Sequence, residues 1–431
     1  MVFRKSNFVV VAVFLSTCMV ANLTLLGQER PNVVVIMTDD MGYSDLGCYG
    51  SEIKTPYLDK LAKGGIRYTQ AYNTSKCWTT RISLLTGLYH IQSGRDFQHT
   101  ALVSEVLGPA GYQCWWSGKH HANFNPHERG FHHFSGFLGG AINFWNPGNA
   151  RPGEPNPGWG SNYAWAFDDK VVKPYAPDKD FYATDRFTDW ALAWLDDASA
   201  KKDPFFLYLA YNAPHFPIQP PKDWLEKVQK REPNLNKKRA TNVAFVEHMD
   251  HEIGKFLAAV KDAGIADDTL IVFSSDNGGS LPHGALNGEL RGGKQDHWEG
   301  GIRVPTCAVW PGTIPVGRTD ALGITMDLLP TFCEIAGAKV EHEIDGLSLA
   351  PVLLKGAKGD PTRTLIWVRR EGNRRYQGRA YYAIRRGPWK LLQNTAFEPM
   401  QLVNLANDPK EAKPKPPNGK IANELSRALM D

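Results

Sequence analysis

The chain has 431 residues, is 42% hydrophobic and 22% charged, and carries a formal net charge of +4 at neutral pH. That length exceeds what one small core needs and calls for a large domain with a smaller companion. Arg4 and Lys5 are the charged residues among the first 28, so the remainder carries +2, too little to draw nucleic acid or a membrane surface. Anion recognition therefore falls to particular side chains.

The chain opens as an export signal over residues 1–28. Arg4 and Lys5 give a basic start, residues 8–20 are nearly all apolar, and Ser16, Thr17 and Ala21 are small. The apolar run is shorter than the roughly 20 residues of a spanning helix. The expectation is a periplasmic or secreted protein with no membrane span in the mature chain. Lipoprotein anchoring at Cys18 is disfavoured, because Thr17 is larger than the residue such a site carries before its cysteine. With Cys18 in the signal, Cys48, Cys77, Cys114, Cys307 and Cys333 remain, in neither metal-ligand nor disulfide spacing. Four of them read as buried small hydrophobes or one incidental bridge, and Cys77 as a candidate nucleophile.

Residues 32–38 form a β-branched run without alternation, the pattern of a strand buried on both faces. It ends in Asp39 and Asp40, where α/β sheets bind ligands. Adjacent buried carboxylates need a positive partner, and hard divalent cations prefer such oxygens. A helix starts at Pro56 and stops at Gly64 and Gly65. Residues 77–87 read as a helix ended by glycine. Cys77 and Arg81, four apart, share a face over its positive end. Alone, this segment reads first as a buried cysteine on an ordinary amphipathic helix, and the rest of the chain reverses that. Residues 111–116 predict a strand, followed by Lys119, His120 and His121.

Residues 143–169 are rich in Pro and Gly and carry Trp145, Trp159, Tyr163, Trp165 and Phe167. They are either an aromatic rim over a substrate cleft or a self-packed loop cluster. Residues 183–199 predict a helix with an apolar stripe, and 204–211 another buried strand that empties into Asn212, Ala213, Pro214 and His215. Residues 227–239 read as a solvated basic loop and 239–263 as a long helix. Residues 269–274 predict a strand ending at Asp276 and Asn277. The glycines of 291–303 imply tight turns or close approach around Lys294. Beyond about 345, short strands at 365–369, 381–385 and 389–392 and a terminal helix at 420–430 predict a small antiparallel sheet. Residues 410–420 read as a surface turn.

Asp39, Asp40, Asp276 and Asn277 offer oxygen alone, a set that favours Ca²⁺ or, less so, Mg²⁺ over zinc. Cys77, Arg81, Lys119, His121, His215 and Lys294 add a nucleophile, cations and imidazoles, suited to transfer of a tetrahedral oxyanion group. In these motifs and their order, residues 31–395 resemble the sulfatase family within the alkaline-phosphatase superfamily.

The resemblance implies an α/β fold with a large, mostly parallel mixed sheet between helices. It implies a catalytic domain over 29–345 and a smaller C-terminal α+β domain over 346–431 holding an antiparallel sheet. It also implies hydrolysis of an aryl or carbohydrate sulfate ester, with Cys77 converted to formylglycine by a formylglycine-generating maturation enzyme. Asp39, Asp40, Asp276, Asn277 and residue 77 would hold Ca²⁺. Arg81 and Lys119 would hold the aldehyde hydrate and His121 assist its deprotonation. His215 and Lys294 would grip sulfate, with His215 protonating the leaving oxygen. His283 is a lesser candidate, and His120 fills space. The family pattern is Cys-any-Pro-any-Arg, sometimes with Ala at the third place, and here that place is Thr79. Two other readings remain: a phosphate mono- or diester hydrolase of the same superfamily, and a non-catalytic sulfated-glycan-binding protein with unmodified Cys77.

Overall fold

The computed structural model describes residues 30–94, 99–148, 164–201, 203–370 and 380–430. The export segment, with Cys18, lies outside them. Ten strands form the main sheet: β1 (Asn32–Thr38), β2 (Ile66–Tyr68), β3 (Gln113–Lys119), β4 (His133–Phe137), β5 (Trp165–Phe167), β6 (Lys170–Val172), β7 (Phe205–Ala210), β8 (Thr269–Ser275), β9 (Thr306–Val309) and β10 (Gly317–Thr319). Their order is β10-β2-β9-β8-β1-β7-β3-β4-β5-β6. The centre, β8-β1-β7-β3-β4, is parallel, and antiparallel pairs flank it. The expected large, mostly parallel mixed sheet is present.

β1 shows why the sequence reads as it does. Val34 and Ile36 enter a core shared with the helices Ala183–Lys201 and Lys237–Asp262. Val33, Val35 and Met37 enter the opposite core with Ile82, Leu84 and Leu85 of the Cys77–Thr86 helix. Both faces are covered, so no polar residue alternates in. Each such Val or Ile contributes about 1.5–3 kcal/mol by burial.

A second sheet of four antiparallel strands follows: β11 (Thr364–Arg370), β12 (Ala380–Arg386), β13 (Trp389–Gln393) and β14 (Gln401–Asn404). One face packs Leu365, Trp367, Ala383, Leu392 and Val403 against Tyr72, Trp298 and Ile302 of the main body. The Gly419–Met430 helix covers the other face through Ala422 and Leu425.

Several expectations are corrected. Residues 227–239 are no solvated loop: a helix spans Lys222–Arg231 and the next begins at Lys237. Val228 is buried and Trp224 and Leu225 half-buried, a stripe hidden among charges such as the Asp223–Lys227 pair at 2.9 Å. β3 runs on to Lys119, because Ser117 Oγ donates to Phe187 O (2.7 Å) and Gly118 passes close to β7. A Cβ on Gly118 would lie 2.2 Å from Ala210 O, and its φ is +109°. Within 410–420, Glu411 is fully buried. It accepts from Glu299 N (2.6 Å) and pairs with the buried Lys390 (2.8 Å).

Trp165 is buried against Phe137, Tyr175 and Phe181, so this part of the aromatic tract is self-packed. Trp145 is partly exposed and lies 4.2 Å from the Tyr182 ring. Trp159 and Tyr163 are outside the described residues.

Candidate active site

Strand register builds the site. Thr38 pairs with Ser275 in the parallel β1–β8 ladder, and Met37 pairs with Ala210 of β7, which pairs with Gly118 of β3. The next residues therefore emerge side by side: Asp39 and Asp40, Asp276 and Asn277, and Lys119. The ladder continues past the strands, with Asp39 N donating to Ala213 O (3.1 Å) and Asp276 N to Thr38 O (3.0 Å). Asn277 Nδ2 donates to Asp40 Oδ1 at 2.8 Å. The two acidic pairs, 237 residues apart, thus share one pocket.

Cys77 opens the ten-residue Cys77–Thr86 helix, after the extended Lys76. Ligand atoms of Cys77, Asp39 and Asp276 lie within 4.8 Å of one another. Cys77 Sγ lies 3.2 Å from His121 Nδ1. Burial pushes the thiol up in pKa, against the pull of the Lys119 and Lys294 charges. A Cβ at Gly140 would sit 2.6 Å from His121 Nε2, so a glycine gives the imidazole its room.

The cations are saturated by carboxylates. Lys119 Nζ, fully buried, pairs with Asp39 Oδ2. Lys294 Nζ reaches Asp40 at 2.6 Å to Oδ1 and 2.9 Å to Oδ2. Arg81 donates Nε and Nη2 to Asp276 Oδ2 (3.1 and 2.8 Å) and Nη1 to Lys119 O (3.3 Å) and Tyr208 Oη (3.2 Å). The glycine-rich loop seats Lys294: Gly278 N donates to Gly301 O and Lys294 N to Gly279 O, both at 3.0 Å. A Cβ on Gly278 would fall 1.8 Å from Gly300 O, which is the close approach expected of this stretch.

Burial alone would raise Asp40, but the Lys294 and His215 charges and the Asn277 hydrogen bond hold it below the carboxylate range. Burial and the Asp39 charge push Asp276 up to about 7. Burial and Lys294 push His215 down to about 3. Its Nδ1 donates to Phe216 O (2.5 Å), which turns a lone-pair-bearing Nε2 toward Asp40 Oδ2 at 3.8 Å. Asp40, Ser75, His121 and Gln295 all hold positive φ without being glycine, and each is in or next to this cluster.

The sequence matches the family model Sulfatase over residues 31–338. The chain belongs to the sulfatase family. A second family model, N-sulphoglucosamine sulphohydrolase, C-terminal, matches residues 293–430. Human arylsulfatase A is 30% identical over 434 residues, covering 88% of this chain and 82% of that protein. Mouse N-acetylgalactosamine-6-sulfatase is 30% identical over 398 residues, with 84% and 72% covered. The solved structure of Ps i-CgsB superposes with a TM-score of 0.82 at 33% identity, covering 93% of this chain and 92% of that one. That protein was also solved in complex with k-i-k-neocarrahexaose. This sulfatase is accordingly a sulfuric ester hydrolase.

The strand-end cluster suits a hard cation. Asp39 Oδ1 and Asn277 Oδ1 are buried and have no hydrogen-bond partner, a cost of about 1–3 kcal/mol each when nothing else meets them. Asp39 lies with Cys77 and Asp276 in one cluster, and burial, with the Asp39 charge adding to it, raises the Asp276 carboxyl. Thr79 ties down the approach to Cys77, its one hydroxyl proton shared between Lys76 O (2.7 Å) and Thr74 O (2.9 Å). His283 accepts or donates at Ser280 Oγ (2.8 Å) and stacks on Phe216 at 4.8 Å. His120 is buried among Trp116, Phe124 and Phe134.

Sequence reasoning missed Tyr208, Gly140 and Gln295. Tyr208 reads as core strand. Gln295 accepts at Oε1 and O from Arg369 of β11 (3.0 and 2.9 Å), and nothing local marks it. Cys48, Cys77, Cys114, Cys307 and Cys333 are all free thiols. Among the described residues no helix is long and apolar enough to cross a membrane.

Proposed function

We propose that this sulfatase releases inorganic sulfate from a sulfated carbohydrate, using formylglycine formed from Cys77 and one Ca²⁺. The observation that supports it is the convergence of Asp39, Asp276, Lys119 and Lys294 on Cys77 at one end of the parallel sheet, with Asp40 joined through Lys294 and Asn277 through Asp40. A carbohydrate substrate is favoured by similarity to a structure bound to k-i-k-neocarrahexaose and to an N-acetylgalactosamine-6-sulfatase.

Asp39, Asp40, Asp276 and Asn277, with residue 77, would hold the cation, which when bound offsets charge on the sulfate oxygens. The hydrated aldehyde at residue 77 would supply one hydroxyl to displace the sugar oxygen at sulfur and a second whose deprotonation would release sulfate and restore the aldehyde. Lys119 and Arg81 fix the carboxylates around residue 77. His121, 3.2 Å from that side chain, takes the hydroxyl proton. Lys294 and His215 stand at Asp40 to meet the sulfate. The entering anion raises the pKa of His215, and the imidazolium then gives its proton to the leaving sugar oxygen.

In this reading residues 29–345 form the catalytic unit and 346–431 the smaller one, which reaches the site through Arg369. The chain is exported, and a maturation enzyme converts Cys77 beforehand. The test is the mass of the Cys77 peptide from native-host protein, with turnover of aryl sulfate, aryl phosphate and sulfated oligosaccharides. An aldehyde mass with sulfate release supports the reading. A free thiol in fully active protein overturns it.

A further inference from the structure

Asp185, His248 and Glu252 lie on two helices, Ala183–Lys201 and Lys237–Asp262, that pack on each other over one face of the main sheet. None belongs to the strand-end cluster. One ligand atom from each lies within 4.8 Å of the other two. His248 Nε2 is 3.2 Å from Asp185 Oδ1 and 3.9 Å from Glu252 Oε1.

The cluster is not satisfied by the protein. Glu252 is 1% exposed, yet its Oε2 has no hydrogen-bond partner. Asp185 Oδ1 also has none, although the imidazole stands so near. Lys255 Nζ holds Glu252 Oε1 at 2.6 Å, which orients the carboxylate and leaves its other oxygen free. His248 Nδ1 is unpartnered too, while Nε2 faces Asp185 Oδ1 at 3.2 Å. Tyr182 and Trp224 make T-shaped ring contacts with the imidazole at 5.2 and 5.5 Å, while Asp185 stays partly exposed. Burial pushes the Glu252 carboxyl up in pKa against the pull of Lys255, and the Asp185 charge adds to it. Lys255 already meets Glu252 Oε1, so the atoms left without a partner are Glu252 Oε2, Asp185 Oδ1 and His248 Nδ1, and polar atoms buried in this way are costly unless something meets them.

We propose that Asp185, His248 and Glu252 form a second metal site, which takes a divalent transition ion of the zinc class. One imidazole nitrogen and two carboxylate oxygens are ordinary zinc ligands, and the His248–Glu252 spacing of four puts both on one helical face. This donor set differs in kind from the oxygen-only strand-end set, so the two sites sort ions by softness. The ion fastens the start of one helix to the middle of the other.

The test uses the full mature chain, stripped with chelator and then saturated with Ca²⁺ to fill the strand-end pocket. Zn²⁺ is titrated against a chromophoric chelator, and Co²⁺ is added in parallel for its visible absorption bands. One Zn²⁺ per chain and Co²⁺ bands are expected, both lost in His248→Gln and in Asp185→Asn. Asp185 is partly exposed, so Asp185→Asn keeps the core intact even where His248→Gln does not fold. Absence of stoichiometric Zn²⁺ in the unmutated chain overturns the proposal and leaves an imidazolium paired with two carboxylates. Zn²⁺ uptake unchanged by Asp185→Asn overturns it equally.

Discussion

Arg81 donates two N–H groups, Nε and Nη2, to a single oxygen of Asp276, at 3.1 and 2.8 Å. The two residues are 1% and 0% exposed in their side chains. The guanidinium thus fixes the orientation of a carboxylate in the proposed cation pocket, while its Nη1 reaches across to Lys119 O. Its geometric task is to aim other groups.

That relationship sets the first expectation. Arg81→Lys keeps the charge and loses the fork. Cation affinity falls about 10–100-fold, as when other outer-shell partners of ligands are removed. Calcium titration of the stripped protein measures it. Unchanged affinity would take Arg81 out of this role.

Gly140 makes a second case. A Cβ there would lie 2.6 Å from His121 Nε2 and 2.7 Å from Cε1. Gly140→Ala therefore displaces the imidazole from residue 77. Turnover at saturating substrate should fall at least about tenfold, within the range for lost proton transfer, with little change in KM. A loss confined to KM would point to a substrate contact instead.

The sheet was legible because its central strands are short apolar runs buried on both faces, and β1 is the plainest of them. The convergence of Asp39, Asp40, Asp276 and Asn277 was legible from the rule that ligands meet at strand ends. Pairings set by tertiary geometry were not. Nothing near Arg81 names Asp276 as its partner, and nothing near Gly140 names His121. Glu411 sits in a Pro- and Lys-rich stretch that reads as surface, yet its carboxylate is buried on Lys390. His248 and Glu252 lie beside an apolar stripe and read as its polar margin.

The buried Lys390 holds two carboxylates, Glu299 at 3.0 Å and Glu411 at 2.8 Å. Burial pushes Glu411 up to about 7, with the Glu299 charge adding to it against the pull of Lys390. A carboxyl raised in the folded state binds more protons there than in the unfolded chain between about pH 4.5 and 7. Its contribution to stability therefore declines as pH rises through that window and is level above it. Glu299, which Lys390 and Arg385 hold low despite burial, contributes in the opposite sense and below that window. Glu411→Gln should flatten the fall in urea midpoint between pH 5 and 7 relative to the unmutated chain. Lys390→Met should destabilise by about 3–5 kcal/mol, because the two carboxylates lose their cation. Parallel pH slopes in Glu411→Gln and the unmutated protein would show that Glu411 does not titrate there.

Thr79 occupies the place where the family pattern has proline, and its one hydroxyl proton, shared between Lys76 O and Thr74 O, secures residues 74–76 ahead of Cys77. Proline fits the first turn of a helix, where the amide has no intrahelical acceptor. The first intrahelical bond here is Thr80 N to Lys76 O at 3.0 Å, so Thr79 N is outside that ladder. Thr79→Pro therefore keeps the helix, at the cost of the shared hydroxyl bond, worth about 0.5–1.5 kcal/mol. In the proposed function conversion acts on the local sequence around the cysteine, so the same change should raise the converted fraction when the chain is made beside a maturation enzyme that reads proline. Peptide mass gives that fraction, and sulfate release per chain should rise in step with it. A higher converted fraction without a matching rise in turnover would mean that the Thr79 hydroxyl also serves the folded site. An unchanged fraction would mean that Thr79 is no obstacle to conversion.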